Sequence, residues 1–260
     1  MSFSVNTNTA AMNANLNASN TNSTLDKSLT ALSSGDKLSS AAYDASGLTI
    51  ANGLSSQVAG LGQTIMNANE SIGMYQIADG AMQGYSDNLD KIRVLTLKAS
   101  NATMSDANRE SIQKEIDGLM KASDSIANST SYNGINLLNS AGDGSELPNI
   151  ADVRTSSFIG EIDVTTEEGR VGALENIDKA MKDSGEIRSN IGASINGLAS
   201  TIRNTSVTQI NTAAAESQIR DVDFALESAN FSKANLNALI GSFVQSQANA
   251  IAGNAVDLLK

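Results

Sequence analysis

Apolar side chains recur in steps of three and four along most of this chain. The longest stripe runs Ala51, Leu54, Val58, Leu61, Ile65, Ala68, Ile72, Tyr75 and Met82, with Asp79 as its one breach. Spacing near 3.5 keeps one face turned to a partner, so about four such heptads predict a coiled-coil seam. A helix over residues 45–99 would be a rod of about 80 Å at 1.5 Å per residue, too long to be a compact globule by itself. After a break at residues 101–104, Ser105 followed by Asp106 reads as the cap of a second helix with its stripe at Ile112, Ile116, Leu119 and Ile126. Helical spacing returns at Leu174, Ile177, Met181, Ile187, Ile191, Ile195, Leu198 and Ile202, and again at Leu236, Ile240, Phe243, Gln247, Ile251, Ala255 and Leu258. A weaker stripe opens the chain, at Val5, Met12 and Leu16 and then Leu25, Leu29 and Leu32.

Residues 129–172 break this rhythm. Asn133-Gly134, Gly142, Gly144 and Pro148 are turn signals, and the run from Phe158 to Val164 partly alternates as edge strands do. The predicted fold is mainly α: long antiparallel helices in a coiled coil or bundle, with a small β-hairpin excursion. Short connections make the long helices antiparallel neighbours with both termini at one end. Periodicity does not distinguish the core of a lone bundle from the lattice of a polymer.

Composition narrows the chemistry. There is no Cys and no His, so disulfides, thiolate nucleophiles, cysteine zinc sites and imidazole bases are excluded. Only carboxylates, Lys, Tyr and hydroxyls remain, which argues against an enzyme; no cofactor is expected. A formal charge of −11 argues against nucleic acid, and the single proline favours long uninterrupted helices. No run of about eighteen apolar residues exists, so no membrane span is expected, and no basic cluster precedes an apolar core at the front.

Charge placement says more than total charge. The first charged side chain is Asp26, and none lies between Lys233 and Asp257. The ends are filled with Asn, Ser, Thr, Gln and Ala, a composition that by itself also suits disordered tails. Helices of such small side chains bury little area, so at about 25 cal/mol per Å² their pairing barely offsets the roughly 1–2 kcal/mol per residue of ordering. They are therefore expected to be loose in the monomer and to order when neighbours supply more surface. A charge-free face suits a crowded interior, and a head-to-tail contact of that kind closes a ring or winds a filament.

Two segments carry a family resemblance. Leu32 to Asn52 (LSSGDKLSSAAYDASGLTIAN), continued by Gln57 to Leu61 (QVAGL), resembles the bacterial flagellin segment that follows its N-terminal helix. Ala215 to Ala225 (AESQIRDVDFA), with Phe231 to Ala234 (FSKA), Gln245 to Asn249 (QSQAN) and Leu258-Leu259, resembles the flagellin C-terminal signature. The likeness covers roughly residues 1–139 and 173–260. It implies a filament subunit that polymerises with itself, is exported unfolded through the flagellar type III pathway, and ends in an extracellular filament. Its implied partners are the export apparatus, an export chaperone and the filament cap. Paired terminal helices, 1–35 and 221–260, would line an inner tube; 36–128 with 173–220 would form an outer one; and 129–172 would be its β excursion, leaving no room for large outer domains. The implied assembly interface is Val5, Met12, Leu16, Leu25, Leu29, Leu32, Leu236, Ile240, Phe243, Ile251, Leu258 and Leu259.

The departures from the family pattern carry expectations too. Lys37-Leu38-Ser39-Ser40 stands where flagellins usually have Arg-Ile-Asn-Ser, and Tyr43 where they have a second Asp, so the joint between the tubes is expected to pack differently. The segment read by the animal innate-immune flagellin receptor corresponds to Lys91, Leu95 and Glu115. Lys91 lacks the planar fork of the usual Arg and Val94 replaces a usual Glu, so recognition is expected to be weakened.

Sharper chemical readings fare poorly. Asp143 to Glu146 lacks the alternating ligands and distal Glu of a calcium loop. The glycines at 142 and 144 have no Lys-Ser/Thr sequel for a phosphate cradle. Asp221 and Asp223, two apart, do not face one another on a helix and fit a solvated helix start better. Hydroxyls at Ser140, Ser145, Thr155, Ser156, Ser157, Thr165 and Thr166 offer O-glycosylation sites or plain surface. Beside the filament subunit stand a hook–filament junction protein and a paired-carboxylate hydrolase, the latter without a constellation to support it.

Overall fold

A computed structural model describes residues 7–139 and 152–257, with side chains described to residue 254. Among these residues the order is α1 (Thr9–Ser34), α2 (Ala45–Ala99), α3 (Asp106–Ser129), β1 (Ser131–Tyr132), β2 (Ile135–Asn136), α4 (Thr155–Phe158), α5 (Glu167–Arg220) and α6 (Phe224–Asp257). The predicted class is observed: long helices, of 55 residues in α2 and 54 in α5, with one small antiparallel hairpin. The turn signals at Gly142, Gly144 and Pro148, and the calcium-loop candidate at 143–146, lie outside the described residues. The chain divides into two compact units, Met1–Gly60 with Thr208–Lys260, and Leu61–Val207.

In the unit Leu61–Val207, α2 and α5 run antiparallel, as Arg93 with Asp178 (2.7 Å), Ser86 with Ser184 (2.8 Å) and Arg188 with Asp79 (2.9 Å) record in turn. The breach at Asp79 is thus an inter-helix ion pair, half exposed and so worth at most about 1 kcal/mol. Tyr75, Met82, Leu89, Ile92, Ile112, Ile116, Ile177 and Ile191 form one core, completed by Leu138, Val153, Ile162 and Val164 from the excursion. Ser105 caps α3 as expected, accepting the Asn108 N–H at 3.4 Å. Arg109 closes the other side of the break by donating to the carbonyls of Ala99 and Asn101, both at 3.1 Å.

Asn133 and Gly134 both have positive φ (50° and 81°), the conformation a two-residue hairpin turn needs. The strand expected over Phe158–Val164 is not a strand. Its alternation is present, with Ile162 and Val164 buried. Its hydrogen-bond partner, however, is the amide of Gln113, which donates to the Ile162 carbonyl at 2.8 Å and accepts the Val164 N–H at 2.9 Å. One side chain does what a neighbouring strand would have done, so no ladder forms. Phe158 ends the short α4 and meets buried Tyr85 edge to face, with ring centroids 5.7 Å apart. Thr155, one of the candidate hydroxyls, is buried: its N–H and Oγ1 both donate to Asp124 Oδ1 at 2.8 Å.

Candidate functional site

The two sequence signatures, almost two hundred residues apart, meet in the unit Met1–Gly60 with Thr208–Lys260. Gly35 ends α1 with φ 72°, the left-handed conformation that glycine adopts without strain, and returns its N–H to the Ala31 carbonyl at 2.9 Å. The next residues pair with the chain leaving α5. Lys37 N–H donates to the Arg220 carbonyl and Val222 N–H to the Gly35 carbonyl, each at 2.9 Å, around an Asp36–Asp221 bridge. Arg220 binds this junction together. Its guanidinium reaches Asn52 Oδ1 at 3.0 Å, Glu216 Oε1 at 3.1 Å and Asp36 Oδ2 at 3.8 Å.

The departures noted above take defined places here. Leu38 is buried, and Lys37 Nζ donates to the Gln218 carbonyl at 3.0 Å. Tyr43 lies under Lys27, whose Nζ is 4.8 Å from the ring centroid, so a cation–π contact occupies the place of an acid. Asp44 starts α2. Hydrogen bonds from the Gly47 N–H (2.8 Å) and the Ser46 hydroxyl (2.7 Å) hold its carboxyl below the usual range. A Cβ on Gly47 would stand 2.4 Å from that carboxylate, which is why glycine follows the cap. Asp223 caps α6, accepting the Ala225 and Leu226 N–H groups at 2.9 and 3.1 Å, while Asp221 receives the Ser217 hydroxyl. The two carboxylates serve separate bonds, as a helix start requires.

α1 and α6 pair antiparallel, with Asn8 Nδ2 donating to the Ala248 carbonyl at 3.1 Å far from the junction. The residues turned inward keep a three-four rhythm: Ala11, Ala14, Ala18, Thr21, Leu25, Ser28 and Leu32 on α1, with Ala31 buried beside them, and Glu227, Phe231, Ala234, Ala238, Gly241, Gln245, Ala248 and Ala252 on α6. Most are small. Apart from Leu25, Leu32 and Phe231, large apolar side chains lie on the other faces: Met12, Leu16 and Leu29 on α1, and Leu236, Leu239, Ile240, Phe243, Val244 and Ile251 on α6, with Phe243 71% exposed.

Of the expected interface residues, then, Met12, Leu16, Leu29, Leu236, Ile240, Phe243 and Ile251 are exposed. Leu25 and Leu32 are half-buried in the seam between α1 and α6. Val5, Leu258 and Leu259 lie outside the described residues. Leu239 and Val244 widen the exposed face of α6 and were missed, because a single stripe passes between them. The small-residue seam was missed because its signal is carried by Ala, Ser and Gly rather than by large apolar side chains. Lys91 and Glu115 are exposed on α2 and α3, and Leu95 is half-buried against the core of its unit. No described helix is long and apolar enough to cross a membrane.

The model of the bacterial flagellin N-terminal helical region matches residues 5–143, and that of the C-terminal helical region matches residues 174–259. This chain belongs to the bacterial flagellin family. The flagellar filament 31.3 kDa core protein of Treponema maltophilum is 32% identical over 98% of this chain and 99% of its own length. Flagellin A of Helicobacter pylori is 32% identical over 98% of this chain but only 54% of its own. A crystal structure of Bacillus cereus flagellin aligns with 58% of this chain and 94% of its own, at 23% identity and a TM-score of 0.48. The chain is a small flagellin: the treponemal protein is aligned over 99% of its length, and only residues 144–173 separate the two family regions. The Arg220 junction lies where the two flagellin signatures converge, and the exposed apolar rows lie on the terminal helices of those same regions.

Proposed function

We propose that this flagellin is the structural subunit of a bacterial flagellar filament and polymerises through the outward faces of α1 and α6. The observation that carries this reading is the inversion of those helices, which turn mostly small side chains toward each other and most of their large apolar ones toward solvent. Such a face gains free energy only by meeting another surface. A repeated copy of the same pair supplies one, and the near absence of charge lets it be enclosed without burying an unpaired ion.

Residues 1–35 and 221–260 are the segments that order on polymerisation and line the inner tube. Residues 36–128 and 173–220 build the outer tube, with 129–172 as its excursion. The relatives' names as filament core proteins favour the filament over the hook–filament junction. The role is structural rather than catalytic. Export unfolded through the type III apparatus, with a chaperone and a cap as partners, and a final place in an extracellular filament follow from the same reading. Innate-receptor recognition through Lys91, Leu95 and Glu115 is weakened, since Lys91 presents a point charge in place of the planar fork of an Arg. A reporter cell responding as strongly as to a standard flagellin would contradict that weakening.

Seeded elongation tests the main reading. Full-length monomer should lengthen filament seeds, whereas chains lacking residues 1–25 or 236–260 should not, while their remaining helices stay folded by circular dichroism. Elongation by the truncated chains would show that the joint lies elsewhere.

A further inference from the structure

We infer that Asp26, Lys27, Glu227 and Lys233 form an ion-pair layer between copies of this chain, setting the axial register of the terminal helix pair in the polymer. The inference rests on the filament reading above and adds to it a charged contact that apolar packing does not supply.

α1 contains two charged residues, Asp26 and Lys27. α6 contains Glu227 and Lys233, and then no further charge until Asp257 at its last residue. The antiparallel pairing brings these four within about two helical turns of one another. Lys27, Glu227 and Lys233 line a single groove of about 340 Å³ between the helices, with Thr21, Ser28 and Asn230 among its other walls. The one lysine of α1 and the one lysine of α6 thus share a cavity with Glu227 in a helix pair that carries little other charge.

Among the described residues these charges are left largely unused, and neither lysine makes an ion pair. Lys27 has only the Tyr43 ring at 4.8 Å, and Glu227 accepts only the Asn230 amide at 3.2 Å. The layer holds two acids and two bases, so it is neutral per copy and becomes fully paired when copies stack. A chain of formal charge −11 gains from offering its ammonium groups where acids of a second copy arrive.

Register is what such a layer controls. A seam of repeated Ala, Ser and Gly looks alike after a slip of one heptad, and an outer row of Leu and Ile discriminates little better. A single polar layer in an apolar repeat makes slipped arrangements leave charges unpaired, the best-attested use of such groups. The occupant of the groove is accordingly a carboxylate side chain of a second copy.

The test uses two full-length charge reversals, K27E/K233E and D26K/E227K, with wild type as the control and K27Q/K233Q as a milder variant. Melting by circular dichroism selects variants that fold. Each reversal should raise the critical concentration for seeded elongation at least about tenfold. An equimolar mixture of the two should return toward wild type, because each supplies the charges that the other lacks. Folded reversals that elongate like wild type would overturn the layer and leave the filament reading intact. Failure of the mixture to recover would overturn pairing between copies. Failure of wild type itself to elongate would overturn both.

Discussion

Tyr85, Met82, Leu89, Ile116 and Ile177 are wholly buried in the unit Leu61–Val207, whereas the α1–α6 pair buries Ala14, Ser28, Ala31 and Ala234 and leaves Phe243, Leu236 and Ile240 outside. Both regions are helical and both follow three-four spacing. They differ in where the volume goes. In the first, large side chains interdigitate and the excursion closes over them, so a monomer already holds a filled core. In the second, small side chains let two helices approach closely with little area removed from water, and the larger gain waits for another surface. Periodicity therefore identifies helices, and residue size on each face decides whether folding or assembly uses them.

The comparison breaks most visibly if the outer face of α6 is made polar. I240N/F243N should abolish seeded elongation while the monomer's melting changes by no more than about 0.5 kcal/mol, since both sites are exposed. A large loss of monomer stability would place them in a core. The mirror experiment is Ile177→Ala in the filled unit, expected to lower monomer stability by about 2–5 kcal/mol in denaturant unfolding. A smaller effect concerns Tyr85, whose hydroxyl is buried without a hydrogen-bond partner among the described residues and whose ionisation is pushed up chiefly by that burial. Tyr85→Phe keeps the ring against Phe158 and removes the unsatisfied group. It should melt at or above the wild type, by about 1 kcal/mol, and a clear loss would show that the hydroxyl has a partner.

The smallest expected effect is in pH. Asp44 in one unit and Asp163 in the other are held below the ordinary carboxylate range. Gly47 N–H is the leading cause for Asp44, and the Thr165 hydroxyl is the leading cause for Asp163. A folded pKa below the unfolded one means stabilisation that is complete above about pH 4 and is lost as pH falls through the folded value. Wild-type melting should therefore fall on acidification below pH 4, and Asp163→Asn should flatten part of that fall. A steeper fall in the variant would reverse the sign.

Much of this was legible beforehand. The α2 stripe from Ala51 to Met82 was read residue for residue, because large apolar side chains at heptad spacing have few other uses. Ser105 was legible as a cap and Asn133-Gly134 as a turn, since each is a local backbone requirement. The run from Phe158 to Val164 was misread because alternation reports burial, and Gln113, forty-five residues earlier than the start of that run, satisfies the backbone instead of a strand. Asp79 stood out as a breach, but its partner Arg188 lies on another helix and no local pattern marks it. The exposed face of α6 was legible as an apolar stripe. The small-residue seam beside it was not, because Ala and Ser occur on every face of these helices.

Amide hydrogen exchange, followed in α1 and α6 of dilute monomer and again in assembled filament, tests the central claim most directly. The account predicts rapid exchange over both helices in the monomer, slow exchange throughout the core around Tyr85 and Ile177, and strong protection of α1 and α6 once copies stack. Terminal helices as protected in the isolated chain as that core would contradict it.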